Sequence, residues 1–177
     1  MPWTTPRDWT AGELVTEAMM DTHVRDNLKM IPHLIVRKTS NESVSSSTVL
    51  QNDDHLLFAM ATNEVWMLHI CLIHSGGASG VPDLKLAFTL PSGATMALES
   101  LTTNDSGTAF NARWNTSGSN TNVLSPASAN PGTLIIDGIV TNGGTAGNFQ
   151  TQFAQVNSSA ENETLYANSA IFGMLVT

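Results

Sequence analysis

The chain has 177 residues and a formal net charge of −8 at pH 7, from seven basic and fifteen acidic groups. Charged residues make up 12% of it and apolar ones 41%, so one domain with a real core is within reach, at about half the usual charge density. A single cysteine, Cys71, excludes an intrachain disulfide, and no apolar run reaches membrane-spanning length.

The charge is unevenly spread. Residues 1–38 hold five basic groups (Arg7, Arg25, Lys29, Arg37, Lys38) and five acids (Asp8, Glu13, Glu17, Asp21, Asp26). Residues 39–177 hold two basic groups, Lys85 and Arg113, against ten acids, a net of −8. That sign repels phosphate backbones, so no nucleic-acid partner is expected, and no membrane partner either. Scarce charge also suits a surface covered by neighbouring copies.

Residues 2–12 read as an extended arm. Pro2 and Pro6 stiffen the backbone and remove two amide donors, which displays Trp3 and Trp9 instead of folding them into a sheet. The start carries no charged segment followed by an apolar one, so no secretion signal is expected. A helix follows: Thr16 caps it, Glu17 complements the dipole, and Val15 with Met20 has the spacing of a hydrophobic staple. Met20, Val24, Leu28 and Ile31 form one stripe, Asp21 and Arg25 pair on another face, and Pro32 ends it. At about four turns with a narrow apolar face, such a helix is marginal alone and needs a surface to pack on.

From residue 34 onward the pattern is strand after strand: "LIVRKT", "STVL", "HLLFAMA", "EVWMLHICLIHS", "LKLAFTL", "ATMALES", "AFNARWN", "TLIIDGIVT", "NFQTQFAQV" and "LYANSAIFGMLVT". Turn clusters separate them, among them "NDD" at 52–54, "SGGASGVPD" at 75–83 and "TSGSNTN" at 116–122. The expected architecture is all-β: a jelly-roll-like antiparallel β-sandwich over residues 34–177, preceded by a docking arm and one short α-helix over residues 1–33.

Alternation sharpens this. Leu84, Leu86, Phe88 and Leu90 share one face with Lys85 and Thr89 opposite, and Phe149 and Phe153 face in while Gln150 and Gln152 face out. "EVWMLHICLI" and "AIFGML" are apolar on both faces. A sandwich strand normally keeps one wet face, so the second cover is expected from another subunit, or else from the chain's own helix.

Signals for chemistry are weak. His69, Cys71 and His74 are spaced H-x-C-x-x-H, but on a strand His74 points away from the other two, so no metal site is expected. "SGGASG" has no following Lys-Ser/Thr and no helix, and Ser79 lacks a nucleophile elbow. Asp53, Asp54 and Asp105 lie in expected turns, where Asp caps local amides. No enzyme and no cofactor is read from the chain. Among the tryptophans, Trp114, between Arg113 and Asn115 beside a polar loop, is the one placed as exposed and as a candidate contact for host glycan.

Two stretches carry a resemblance. Trp9, Thr10, Gly12, Glu13, Leu14, Val15 and Thr16, then Met20, Thr22, His23, Val24, Arg25, Asp26, Asn27 and Leu28, resemble a segment of structural proteins of tailed bacteriophages and prophages. "NEVWMLHICLIHSGGASGVPDLKLAFTLPSGA" and "GTLIIDGIVTNGGTAGNFQTQFAQ" are similar to a phage virion module. Asp21 departs from the pattern, where Asn is expected. The resemblance implies a virion protein made in the host cytoplasm. It implies an N-terminal anchor, a homo-oligomer (a trimer), and a partner such as the major capsid protein or another virion protein. Capsid decoration is the first role implied, and a tail or fibre component meeting host receptor or glycan is the alternative. In either role Trp3, Trp9, Leu14, Met20, Val24, Leu28 and Ile31 are the docking and oligomerisation residues.

Overall fold

The computed structural model describes residues 4, 5, 7–26, 34–78, 81–103, 109–126, 128 and 130–176, with backbone alone at 101–103 and 109–111. The chain divides into two compact units, Met1–His33 and Leu34–Thr177.

In the first unit Gly12 takes φ +79°, a value that favours glycine, and closes a turn in which the Glu13 amide donates to the Thr10 carbonyl at 3.0 Å. Thr16 then caps α1 (Glu17–Met20), its hydroxyl accepting from the Met19 amide at 3.3 Å. The next turn, Asp21–Arg25, is wound as π-helix, the Asp26 amide bonding back to the Asp21 carbonyl. Here the structure differs from the continuous α-helix expected. Arg25 pairs with both Asp21 at 2.6 Å and Asp26 at 2.9 Å. Trp3, Leu28, Ile31 and Pro32 lie outside the described residues.

The second unit is an all-β sandwich of two antiparallel sheets. One runs β1 (Leu34–Arg37), β12 (Ala170–Leu175), β4 (Val65–Gly76), β9 (Gly132–Thr141), β6 (Thr95–Thr103), β7 (Ala109–Trp114). Its remaining two strands, β2 (Glu42–Val44) and β11 (Glu163–Leu165), continue beside the far end of β4. The other sheet runs β3 (Gln51–Met60), β10 (Gly147–Gln155), β5 (Leu84–Thr89), β8 (Asn120–Val123). The chain passes between sheets at β2–β3, β3–β4, β4–β5, β5–β6, β7–β8, β8–β9, β9–β10 and β10–β11, which gives the jelly-roll-like weave.

Alternation builds the core. Leu84, Leu86 and Phe88 of β5 and Phe149 and Phe153 of β10 are buried against Trp66, Leu68, Ile70 and Leu72 of β4. Five rings run through the sandwich: Trp66 meets Phe58 at 5.3 Å, Phe58 stacks on Phe149 at 5.2 Å, Phe149 on Phe88 at 5.2 Å, and Phe88 meets Trp114 edge-on at 5.5 Å. These offset and edge-to-face arrangements add to the area each ring buries. At Gly138 a Cβ would fall on the Ala97 carbonyl, so β6 approaches β9 closely only because this residue is glycine.

Three short polar strands, β2, β8 and β11, escape the sequence pattern, and "STVL" forms no strand. "NDD" at 52–54 lies within β3 instead of a turn, because the strand bulges there: Leu57 faces Gln150 while Asn52 faces Gln152.

Candidate functional site

The outer face of the eight-stranded sheet carries a group of exposed large apolar side chains. Ile35, Phe172, His69, Asp137, Glu99 and Arg113 form one row across it, and Met174, Met67, Ile139 and Ala97 form the next. Phe172 is 42% exposed and Met67 and Met174 each 47%. His69 Nδ1 lies 2.6 Å from Asp137 Oδ1, its ring 6.1 Å from that of Phe172, and Arg113 reaches Glu99 at 3.1 Å. Burial raises the Cys71 thiol on the same face above its ordinary range. Arg37 and Arg113 balance Glu99 and Asp137, so this face is neutral on an acidic molecule.

The first unit buries none of its described residues. Trp9 is 45% exposed, with the Arg7 guanidinium 5.8 Å from its ring centre and His23 edge-on at 6.5 Å. Arg7 also pairs with Glu13. Leu14, Met20 and Val24 are exposed, Leu14 by 82%. Those of the expected docking residues that are described, Trp9, Leu14, Met20 and Val24, therefore present apolar area to solvent.

Two polar clusters lie inside the sandwich, and sequence reasoning found neither. At the end of β4 the strand is buried on both faces, and His74 Nδ1 sits 3.2 Å from Ser125 Oγ and 3.4 Å from Glu163 Oε1. Ser125 Oγ donates to Glu163 Oε1 at 2.9 Å, and the Ser125 amide donates to Asp83 at 3.1 Å. Burial, helped by the Asp83 charge and opposed by the Ser125 hydrogen bond, pushes the Glu163 carboxyl up to about 9; burial pushes the His74 imidazole down to about 4. Both are neutral at pH 7. The residue types are those of a hydrolytic triad, but here Ser125 bridges the other two, whereas a relay needs the imidazole between hydroxyl and acid. Gly76 makes room for the acid: a Cβ there would lie 2.9 Å from Glu163 Oε2 and 2.8 Å from Ser125 Cβ.

The second cluster forms where β1 breaks before β2. Lys38 keeps its backbone in the sheet, its amide donating to Ser169 O at 2.8 Å, and sends its side chain inward, where it is fully buried. Nζ donates to Asp53 Oδ2 at 2.6 Å and to Glu42 Oε2 at 2.8 Å. In the β3 bulge, Asp53 Oδ1 accepts from the amides of His55 at 2.9 Å and Leu56 at 2.8 Å. Glu42 accepts from the Asp54 amide at 3.1 Å and from Gln51 Nε2 at 2.9 Å. Ligand atoms of Glu42, Asp53 and His55 lie within 4.8 Å of one another, but the Lys38 ammonium already takes the cation's place between the two carboxylates. The one available signal was a lysine followed four residues later by a glutamate, with "NDD" opening an apolar strand.

Other sequence expectations resolve directly. His69 and Cys71 share the outer face while His74 turns inward, so the three do not converge. Trp114 requires correction: it is 1% exposed, its indole N–H donating to the Leu86 carbonyl at 3.0 Å. Strand β7 turns this side chain into the core and its neighbour Arg113 outward, so the ring is closed to a glycan.

No family model matches this chain, and no curated protein does. Among solved structures it is similar to two of infectious bursal disease virus. For the Gt strain the identity is 12% and the TM-score 0.24, over 81% of this chain and 40% of that one. For the Gx strain the identity is 15% and the TM-score 0.21, over 80% of this chain and 40% of that one. The chain thus spans well under half the length of those it matches, and overlap this loose says nothing of what it does.

Proposed function

We propose that the chain is a non-enzymatic structural protein of a tailed-phage virion, a capsid decoration protein that assembles as a homo-oligomer, taken as a trimer. Its outer sheet face packs on a second copy of the chain, and residues 1–33 attach the assembly to the major capsid protein or another virion protein. The observation that carries this reading is the neutral, largely apolar outer face. Residues 39–177 have a net charge of −8, so copies repel each other over most of their surface. At this face two arginines offset two carboxylates, and association there buries apolar area without concentrating like charge. Trp9, Leu14, Met20 and Val24 support a docking role for the first unit, because rigid aromatic and apolar anchors give affinity once desolvated.

The test is Met67→Asp with Phe172→Asp, read by native mass spectrometry beside the parent chain. Two carboxylates in the centre of the face should reduce the oligomer to a monomer while the thermal midpoint stays within a few degrees. A parent chain that is already monomeric overturns the reading. So does an oligomer indifferent to the double variant. For attachment, deletion of residues 1–12 should leave a folded sandwich that no longer binds particles. Hundreds of copies per particle fits decoration of the capsid, whereas a few dozen or fewer places the protein in the tail.

A further inference from the structure

We propose that Lys38 and Asp53 condense into an intramolecular isopeptide bond, with Glu42 as the proton carrier. The geometry holds every group the reaction needs. The amine is the nucleophile, fully buried and 2.6 Å from Asp53 Oδ2. The opposite carboxylate oxygen, Oδ1, already receives two backbone amides, those of His55 and Leu56 at 2.9 and 2.8 Å. Two such donors are what an oxygen gaining negative charge in a tetrahedral intermediate requires. Glu42 Oε2 accepts from the same Nζ at 2.8 Å and is held in place by the Asp54 amide and Gln51.

The atoms balance without any co-reactant. Lys38 Nζ passes one proton to Asp53 Oδ2, leaving a neutral amine and a carboxylic acid. The nitrogen lone pair forms the Nζ–Cγ bond, and the carbonyl π pair moves onto Oδ1 beneath the two amides. Nζ then gives a second proton to Glu42. As the Oδ1 carbonyl reforms, the Cγ–Oδ2 bond breaks, and Oδ2 takes the proton from Glu42 and leaves as water. One ammonium and one carboxylate have become one amide and one water. Burial favours that direction, because an ion pair that is costly to desolvate is replaced by a neutral group. Fixed proximity of the reactants supplies the effective concentration.

The bond would tie the end of β1, an edge strand of the eight-stranded sheet, to β3 in the opposite sheet. Tension on residues 1–33 enters the sandwich through β1, so the link stops that strand from peeling past residue 38. The inference does not depend on the virion reading.

Intact mass spectrometry of the denatured full-length chain, after the folded protein has stood at neutral pH, tests it. The expected mass is one water below that of the sequence, and trypsin, unable to cut after the amidated lysine, should release residues 38–85 as one peptide, one water light and closed into a ring between Lys38 and Asp53. Lys38→Arg keeps a cation in place and should restore the full sequence mass, and Glu42→Gln should slow the loss of water severalfold or more. A parent chain at full sequence mass overturns the proposal. A lost water that persists in Lys38→Arg also overturns it, since that marks a succinimide at Asp53.

Discussion

Glu163→Gln should change how stability depends on pH, and the structure sets the size of the effect. The Glu163 side chain is wholly shielded from solvent, and its carboxyl is pushed from the ordinary 4.5 up to about 9. The folded state therefore keeps a proton that the unfolded chain releases. For a raised pKa this stability is complete below about 4.5 and is lost as pH rises towards about 9. Within that window each pH unit costs about 1.4 kcal/mol, so moving from pH 5 to pH 8 removes about 4 kcal/mol. Glutamine keeps an oxygen that accepts from Ser125 but has no proton to lose. His74 imposes the opposite trend, losing stability as pH falls from 6.5 towards about 4. Burial alone sets that shift, so it cancels in the difference between the two proteins. Urea midpoints followed by tryptophan fluorescence at pH 5, 6.5 and 8, at one protein concentration, give that difference. The two chains should be nearly equal at pH 5, with the variant ahead by several kcal/mol at pH 8. Parallel pH curves would show that Glu163 is ionised in the fold and that the reasoning from burial is wrong.

Phe149→Ala removes the middle ring of the aromatic series between Phe58 and Phe88 and should cost about 3–5 kcal/mol by urea unfolding. Trp114→Phe deletes the indole N–H that holds the Leu86 carbonyl and leaves a smaller ring in a filled site. A loss of about 2 kcal/mol is expected in the same assay, with glycan-array signal unchanged, whereas a loss below about 0.5 kcal/mol would mean the ring is outside the core.

Long strands were legible because alternation is strong where one face is buried. Leu84, Leu86 and Phe88 are buried as their spacing implies, and the two-sided apolar pattern of β4 and β12 coincides with a bare outer face. Glu42–Val44, Asn120–Val123 and Glu163–Leu165 were not legible. At three or four residues with polar side chains, such strands exist because a partner edge is already in place, which local sequence does not report. Trp114 was misplaced for a related reason: a polar loop follows it, but the face of β7 that carries it is set by pairing with β6. The buried clusters were the least visible part. Lys38 and Asp53 are fifteen positions apart, and His74 and Glu163 eighty-nine; only the fold brings them together.

The interrupted border of the sandwich has a consequence for how large any assembly grows. β1 and β2 are short and separated by a residue that drives its charge inward, β3 is kinked by its bulge, and β8 has four residues. None of these margins offers a long, straight row of free amides and carbonyls on which another chain could template. Strand-by-strand propagation into fibres is disfavoured at these margins. The edges themselves therefore resist fibre growth, whatever the faces of the sheets bind.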